Sequence, residues 1–243
     1  MMEPVAHSNT PVTARRRSLG RKIRRWLGLA LVLAGVGVLA WAFVVWRWND
    51  PFTAFYTHRE QAELRRELNA LVETSPPAIA STPAAAKPSR AEVRADVERA
   101  ARRLRASASE GSAIGRLVVP RLGLDMVVVD GTSSSSLKRG PGLDRRTFMP
   151  GEGELSYIAG HRTTYGAPFA NVDRLRPNDP ITVVMPYGTL HYRVTRHQIV
   201  DDEDLSVLRS KHTNLLALQA CHPRFFATQR YIVWATLRSI SVS

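Results

Sequence analysis

An uncharged apolar run from Leu27 to Trp46 constrains this chain more than any other feature. Its 20 residues, at helical rise, match the hydrocarbon thickness of a bilayer, roughly 30 Å. Trp26, Trp41, Trp46 and Trp48 lie at or near its ends, where indole rings favour the membrane interface. A cleaved export signal would carry a shorter apolar core, about 7–15 residues, and a small-residue cleavage site. The end of this run, from Phe43 to Trp48, offers no such site. Arg15, Arg16, Arg17, Arg21, Lys22, Arg24 and Arg25 precede it. Basic flanks stay in the cytoplasm, so the expectation is a single-pass plasma-membrane protein with everything after Trp48 outside. The net charge of +13, from 34 Lys and Arg against 21 Asp and Glu, would otherwise suggest nucleic acid. Its densest cluster abuts the apolar run, which assigns it to the membrane flank and leaves no nucleic-acid partner expected.

The boundaries follow. Residues 1–26 are a cytoplasmic basic tail and 27–46 the transmembrane helix. Residues 47–112 read as an extracellular stalk. Within it, Phe55, Leu64, Leu68 and Leu71 recur at helical spacing, predicting a helix over 55–73. Ser75 to Pro88 is rich in Ala, Ser and Pro, a spacer composition. A second helix is predicted over 91–106, with Val93, Val97, Ala101 and Leu104 on one side.

From Ile114 the texture changes to short β-branched runs separated by turn clusters, as in an all-β domain spanning 113–243. Eight strands are predicted: Gly115–Val119, Met126–Val129, Leu155–Ala159, Ile181–Met185, Leu190–Thr195, Gln198–Val200, Leu215–Ala220 and Tyr231–Leu237. That number of short strands in this length suggests a closed or nearly closed barrel. Ser133–Leu137 and Asp204–Arg209 are expected as short helical turns. The acidic run Asp201–Asp204 reads as a cap for the second of these rather than a calcium site.

Cys221 is the single cysteine, so no internal disulfide is available. Its neighbours point to chemistry. Leu215 to Ala220 is an apolar strand that ends at the thiol. Leu155 to Ala159 is another, ending in Gly160 and His161. Arg230 opens the strand that follows Cys221. Rigid strand ends hold side chains accurately while leaving their tips accessible. The thiolate is the nucleophile, a neighbouring imidazolium favours it and can protonate a leaving amine, and a guanidinium stabilises an oxyanion, so the expectation is a sulfur held ionised beside two cations. Cys, His and Arg therefore make a complete acyl-transfer set that needs no cofactor or metal. Composition alone does not bring them together. His222 follows Cys221 directly, and alternation turns it to the opposite face. His191, His197 and His212 sit among surface-like residues. Arg224 is the competitor of Arg230, and Arg162 is expected as a supporting or surface charge.

The ordered motifs Ala159-Gly160-His161-Arg162-Thr163-Thr164, Leu218-Gln219-Ala220-Cys221-His222-Pro223-Arg224-Phe225 and Gln229-Arg230 resemble the sortases, most of all class E of high-GC Gram-positive bacteria. The resemblance covers roughly Ile114–Leu237. It implies a mainly β fold, an eight-stranded sortase-type β-barrel with short helices. It implies Cys221 as nucleophile, His161 as general acid and Arg230 as the group that positions substrate and stabilises the oxyanion. Ala220, Thr163, Thr164 and Tyr165 are the expected substrate-binding residues, Ala220 standing where sortases usually carry Thr. The implied reaction cleaves an LPXTG- or LAXTG-like C-terminal sorting signal after its Thr. The implied acceptor is a peptidoglycan amine, and the implied role is anchoring of surface proteins.

Overall fold

The computed structural model describes residues 14–48, 51–74 and 88–242. The expected cytoplasmic tail before residue 14 and nearly all of the Pro- and Ala-rich spacer lie outside these residues. The chain divides into two compact units at Trp48/Asn49. The first contains one helix, α1 (Ala14–Trp48). Its segment Lys22–Val44 is long and apolar enough to cross a membrane, and none of its hydrophobic window is buried within the protein.

The second unit is built on eight strands: β1 (Ala113–Val119), β2 (Leu124–Asp130), β3 (Gly142–Leu143), β4 (Leu155–Ala159), β5 (Pro180–Met185), β6 (Gly188–Asp201), β7 (Leu215–His222) and β8 (Gln229–Ser241). They close into a barrel in the order β1-β2-β3-β4-β7-β8-β6-β5. Closure gives every strand a partner on both sides, β3 supplying only two residues of it. β2/β3 and β4/β7 pair in parallel, and the other neighbours are antiparallel. The expected total of eight is met by a different set. The two strands predicted at Leu190–Thr195 and Gln198–Val200 are one strand, β6, whose register against β8 shifts at His191/Tyr192 and at Val194/Arg196. Bulges absorb the break that the polar residues Arg196 and His197 suggested. The missing eighth strand is β3, two residues long, inside a segment that reads as turn.

Alternation sorts the side chains of the sheet. On β7, Leu216, Leu218 and Ala220 face the barrel interior with Ile114, Ile158 and Val233. Ala217 faces the other way, with Leu155, Tyr157, Val207, Ile232 and Trp234 in a second cluster outside the barrel.

Helices α2 (Pro51–Thr74) and α3 (Arg90–Ser107) correct the expectation of a stalk. Both belong to the same compact unit as the barrel. Leu64 and Leu68 of α2 are buried against Ala113, Val127 and Val129. Val97, Ala100, Ala101 and Leu104 of α3 join the main core. The buried stripe on each helix is narrow and the remainder is charged, which is why the pair resembles a solvated spacer in sequence. α3 starts at a capping box in which Ser89 and Glu92 bond each other's backbone. A short helix, α4 (Ser134–Arg139), is capped by Ser133 and lies under α2.

Candidate active site

The parallel pairing of β4 with β7 decides the layout. Both strands run towards the same rim, with Ala159 level with Gln219. His161 leaves β4 two residues later, and Cys221 stands two residues further along β7. The β7/β8 ladder places Cys221 directly opposite Arg230. A cleft of about 250 Å³ on this rim is lined by Cys221, His161 and Arg230, together with Thr132, Gln219 and Leu205. Three side chains separated widely in sequence thus share one concavity.

Gly160 makes the turn into His161 possible. A Cβ there would lie 2.7 Å from the ring of Phe169, which is fully buried. The Gly160 amide donates to the Gln219 carbonyl at 3.0 Å, and the Phe169 amide to the His161 carbonyl at 3.1 Å. His161 is therefore tied on both sides. Its ring stacks obliquely on Tyr165, with centroids 5.1 Å apart. Tyr165 adopts a left-handed backbone, φ +51°, and its amide donates to Thr53 Oγ1 of α2 at 2.8 Å. The Lys138 ammonium approaches the same tyrosine ring at 5.7 Å.

Burial lowers the His161 pKa below its ordinary value, and the Lys138 charge lowers it further. The neutral imidazole is the favoured form near pH 7. Its Nε2 is buried without a hydrogen-bond partner. A neutral ring with a free nitrogen can accept a proton, which corrects the expectation of a standing imidazolium beside the sulfur: burial works against the charged ring.

Arg230 reaches the cleft with one guanidinium nitrogen fixed by the carbonyls of Ala227, at 2.7 Å, and Gln229, at 3.0 Å. Asp202 lies 3.7 Å from another nitrogen. The competitor Arg224 turns away, donating to Ala170 O and to Asn171 Oδ1. The rim above the cleft is formed by the segment after β6. There Asp204 accepts from the Ser206 amide at 2.9 Å and caps a 3-10 turn, Leu205–Leu208.

The expected substrate-binding residues separate. Ala220 is fully buried, facing the barrel interior. Its methyl has no surface to offer a ligand, because alternation gives the cleft to Gln219 and Cys221 instead. Thr163, Thr164 and Tyr165 are half-buried on the loop that carries His161, and Tyr165 is engaged with His161 and α2. His222 faces away from the cleft, as alternation requires. Arg162 resolves to the first of its two expected roles, a supporting charge. Only 6% of it is exposed. No local signal marks it, since its partners Asp173, Cys221 and His222 are 11 to 60 residues away.

Residues 117–238 match the family model of the sortase domain. The chain belongs to the sortase family. This sortase is 29% identical over 128 residues to Sortase D of Bacillus subtilis, covering 51% of its own length and 63% of that relative. It is also 29% identical over 145 residues to Sortase SrtE1 of Streptomyces coelicolor, covering 52% of itself and 41% of the relative. The chain thus spans less than two thirds of the length of these curated relatives. Among solved structures, it is similar to Sortase E1 of Streptomyces coelicolor with a tripeptide in the active site. That likeness has TM-score 0.51 and 26% identity over 54% of this chain and 91% of the other. The SrtA sortase of Actinomyces oris aligns with TM-score 0.52 and 30% identity over 56% and 85%.

Proposed function

We propose that this sortase is a membrane-anchored cysteine transpeptidase of class E type, acting on secreted proteins with an LPXTG- or LAXTG-like C-terminal signal. The observation that carries the reading is the shared cleft of Cys221, His161 and Arg230, with the thiol directly across the ladder from the guanidinium. The similarity to Sortase SrtE1 and to the tripeptide-bound Sortase E1 supports the class and a peptide substrate. The apolar helix Lys22–Val44 and its basic flank support a single-pass anchor with the barrel outside the cell.

In the first half-reaction, the Cys221 thiol passes its proton to neutral His161, and sulfur attacks the carbonyl carbon of the signal's Thr. The oxyanion develops beside Arg230, whose fixed positive charge is already in place. The C–N bond then breaks, and the imidazolium gives its proton to the leaving amine. In the second half, an amine of a peptidoglycan precursor attacks the thioester. His161 takes a proton from that amine, the C–S bond breaks, and the proton returns to sulfur. The product is a surface protein amide-linked to the wall.

The test uses the full chain in detergent with peptides carrying LPXTG or LAXTG. A thioester adduct on Cys221 by mass spectrometry, and an amide product with an added amine, are expected. Absence of both adduct and product with every such peptide refutes the reading.

A further inference from the structure

On the face of the β7/β8 pair opposite the cleft, a guanidinium lies almost out of water. One Arg162 nitrogen, NH1, donates to the Cys221 carbonyl at 3.1 Å and contacts His222 Nδ1 at 3.0 Å. The other, NH2, pairs with Asp173 at 3.0 Å. The Tyr231 ring lies beneath the guanidinium at 5.6 Å. Its Nε is buried without a partner. Desolvating a guanidinium is costly unless it is paired and hydrogen-bonded, so its place here depends on these contacts. Arginine has no acceptor, so His222 Nδ1 accepts and the ring proton sits on Nε2.

Connectivity gives the contact its meaning. Arg162 is covalently joined to His161, and it bonds the main chain of Cys221. It therefore links the two residues whose separation the proton transfer depends on, from the side where substrate does not enter. We infer that Arg162 is a positioning residue, a strap from the His161 loop to the catalytic end of β7 that sets the distance between imidazole and sulfur. The role rests on the transpeptidase reading above, but its test has an arm that does not.

Three variants of the full chain in detergent are compared with the unsubstituted protein: Arg162→Gln, Arg162→Lys and Asp173→Asn. Cys221 is the single cysteine, so iodoacetamide labelling reports on that thiol alone. Arg162→Gln is expected to lower kcat for peptide cleavage by about 10²-fold, the scale of a 1 Å misplacement. KM should stay within about two-fold, since uniform binding is untouched. Alkylation at pH 7.5 should slow several-fold, because the imidazole that takes the thiol's proton is no longer held in place. Arg162→Lys should recover part of both losses. Asp173→Asn spares the guanidinium and loosens only its half-exposed anchor, so it should lower kcat by a smaller factor. It keeps the question answerable if Arg162→Gln fails to fold. Unchanged kcat and alkylation in the folded variants, or a raised KM with unchanged kcat, overturns the strap. If the unsubstituted chain cleaves no peptide, the transpeptidase reading fails, and the alkylation arm alone decides the strap.

Discussion

Gln61, on α2, offers the sharpest test of whether the N-terminal helices belong to the catalytic unit. Its side-chain amide behaves as a one-residue strand. Gln61 Oε1 accepts from the Val127 amide at 2.7 Å, and Nε2 donates to the Val127 carbonyl at 3.1 Å and to the Arg139 carbonyl at 2.9 Å. The reason lies in β3. Two residues long, it pairs β2 only at Val129 and Asp130, so Val127 faces no strand on that side. Gln61→Leu retains a side chain of similar size but leaves the Val127 N–H and C=O unpaired and takes a donor from the Arg139 carbonyl. Each such group costs about 1–3 kcal/mol. Because a carbonyl tolerates a lost bond better than an N–H, we take a total of about 3 kcal/mol. For a unit of this size that lowers Tm by roughly 6–12 °C. The assay is thermal unfolding of the full chain in detergent, followed by near-ultraviolet circular dichroism, with hydrogen exchange at the Val127 amide as the local probe. A Tm shift below about 2 °C together with unaltered protection of Val127 would refute the reasoning, and with it the integration of α2 into the barrel.

Further expectations concern the cleft. Cys221→Ala should abolish cleavage and thioester formation with little change in Tm, since the thiol is only half-buried and the exchange removes a single heavy atom. Arg230→Lys should reduce kcat by about 10²-fold, the usual effect of losing an oxyanion donor; activity within two-fold of normal would shift the role to backbone donors. For His161, the folded pKa lies below the unfolded value of 6.5. Below about that pH the unfolded state binds the extra proton, so stability from this residue is present at higher pH and lost on acidification. The Tm advantage of the unsubstituted chain over His161→Gln should therefore shrink between pH 8 and pH 5; a constant gap would contradict it.

The strand pattern was largely readable because its residues obey a local rule. β-branched runs such as Leu215–Ala220 and Tyr231–Leu237 announce themselves wherever they sit. β3 escaped because Gly142 and Leu143 acquire strand geometry only from Val129 on one side and Ile158 on the other. The helices α2 and α3 were found close to their true limits, but not their attachment. Leu64 and Leu68 among Glu and Arg give a weak apolar stripe, and their packing is joined by polar contacts through Gln61 and through the Arg139–Glu60 pair at 2.8 Å. The cleft residues were legible as types at strand ends. The inward turn of Arg162 was not, because nothing in a Gly-His-Arg-Thr string announces it.

The strand that leads into His161 and the strand that carries Cys221 are neighbours that run the same way, so main-chain hydrogen bonding within the barrel wall delivers both residues to one rim. The segment between β7 and β8 holds the Arg230 guanidinium through the Ala227 carbonyl, whereas the segment that overhangs the rim after β6 takes no part in the β4/β7 pairing. Insertions or exchanges after β6 are expected to reshape the mouth of the cleft while leaving the β4/β7 pairing in place. Such a division lets selectivity diversify quickly on an unchanging catalytic frame.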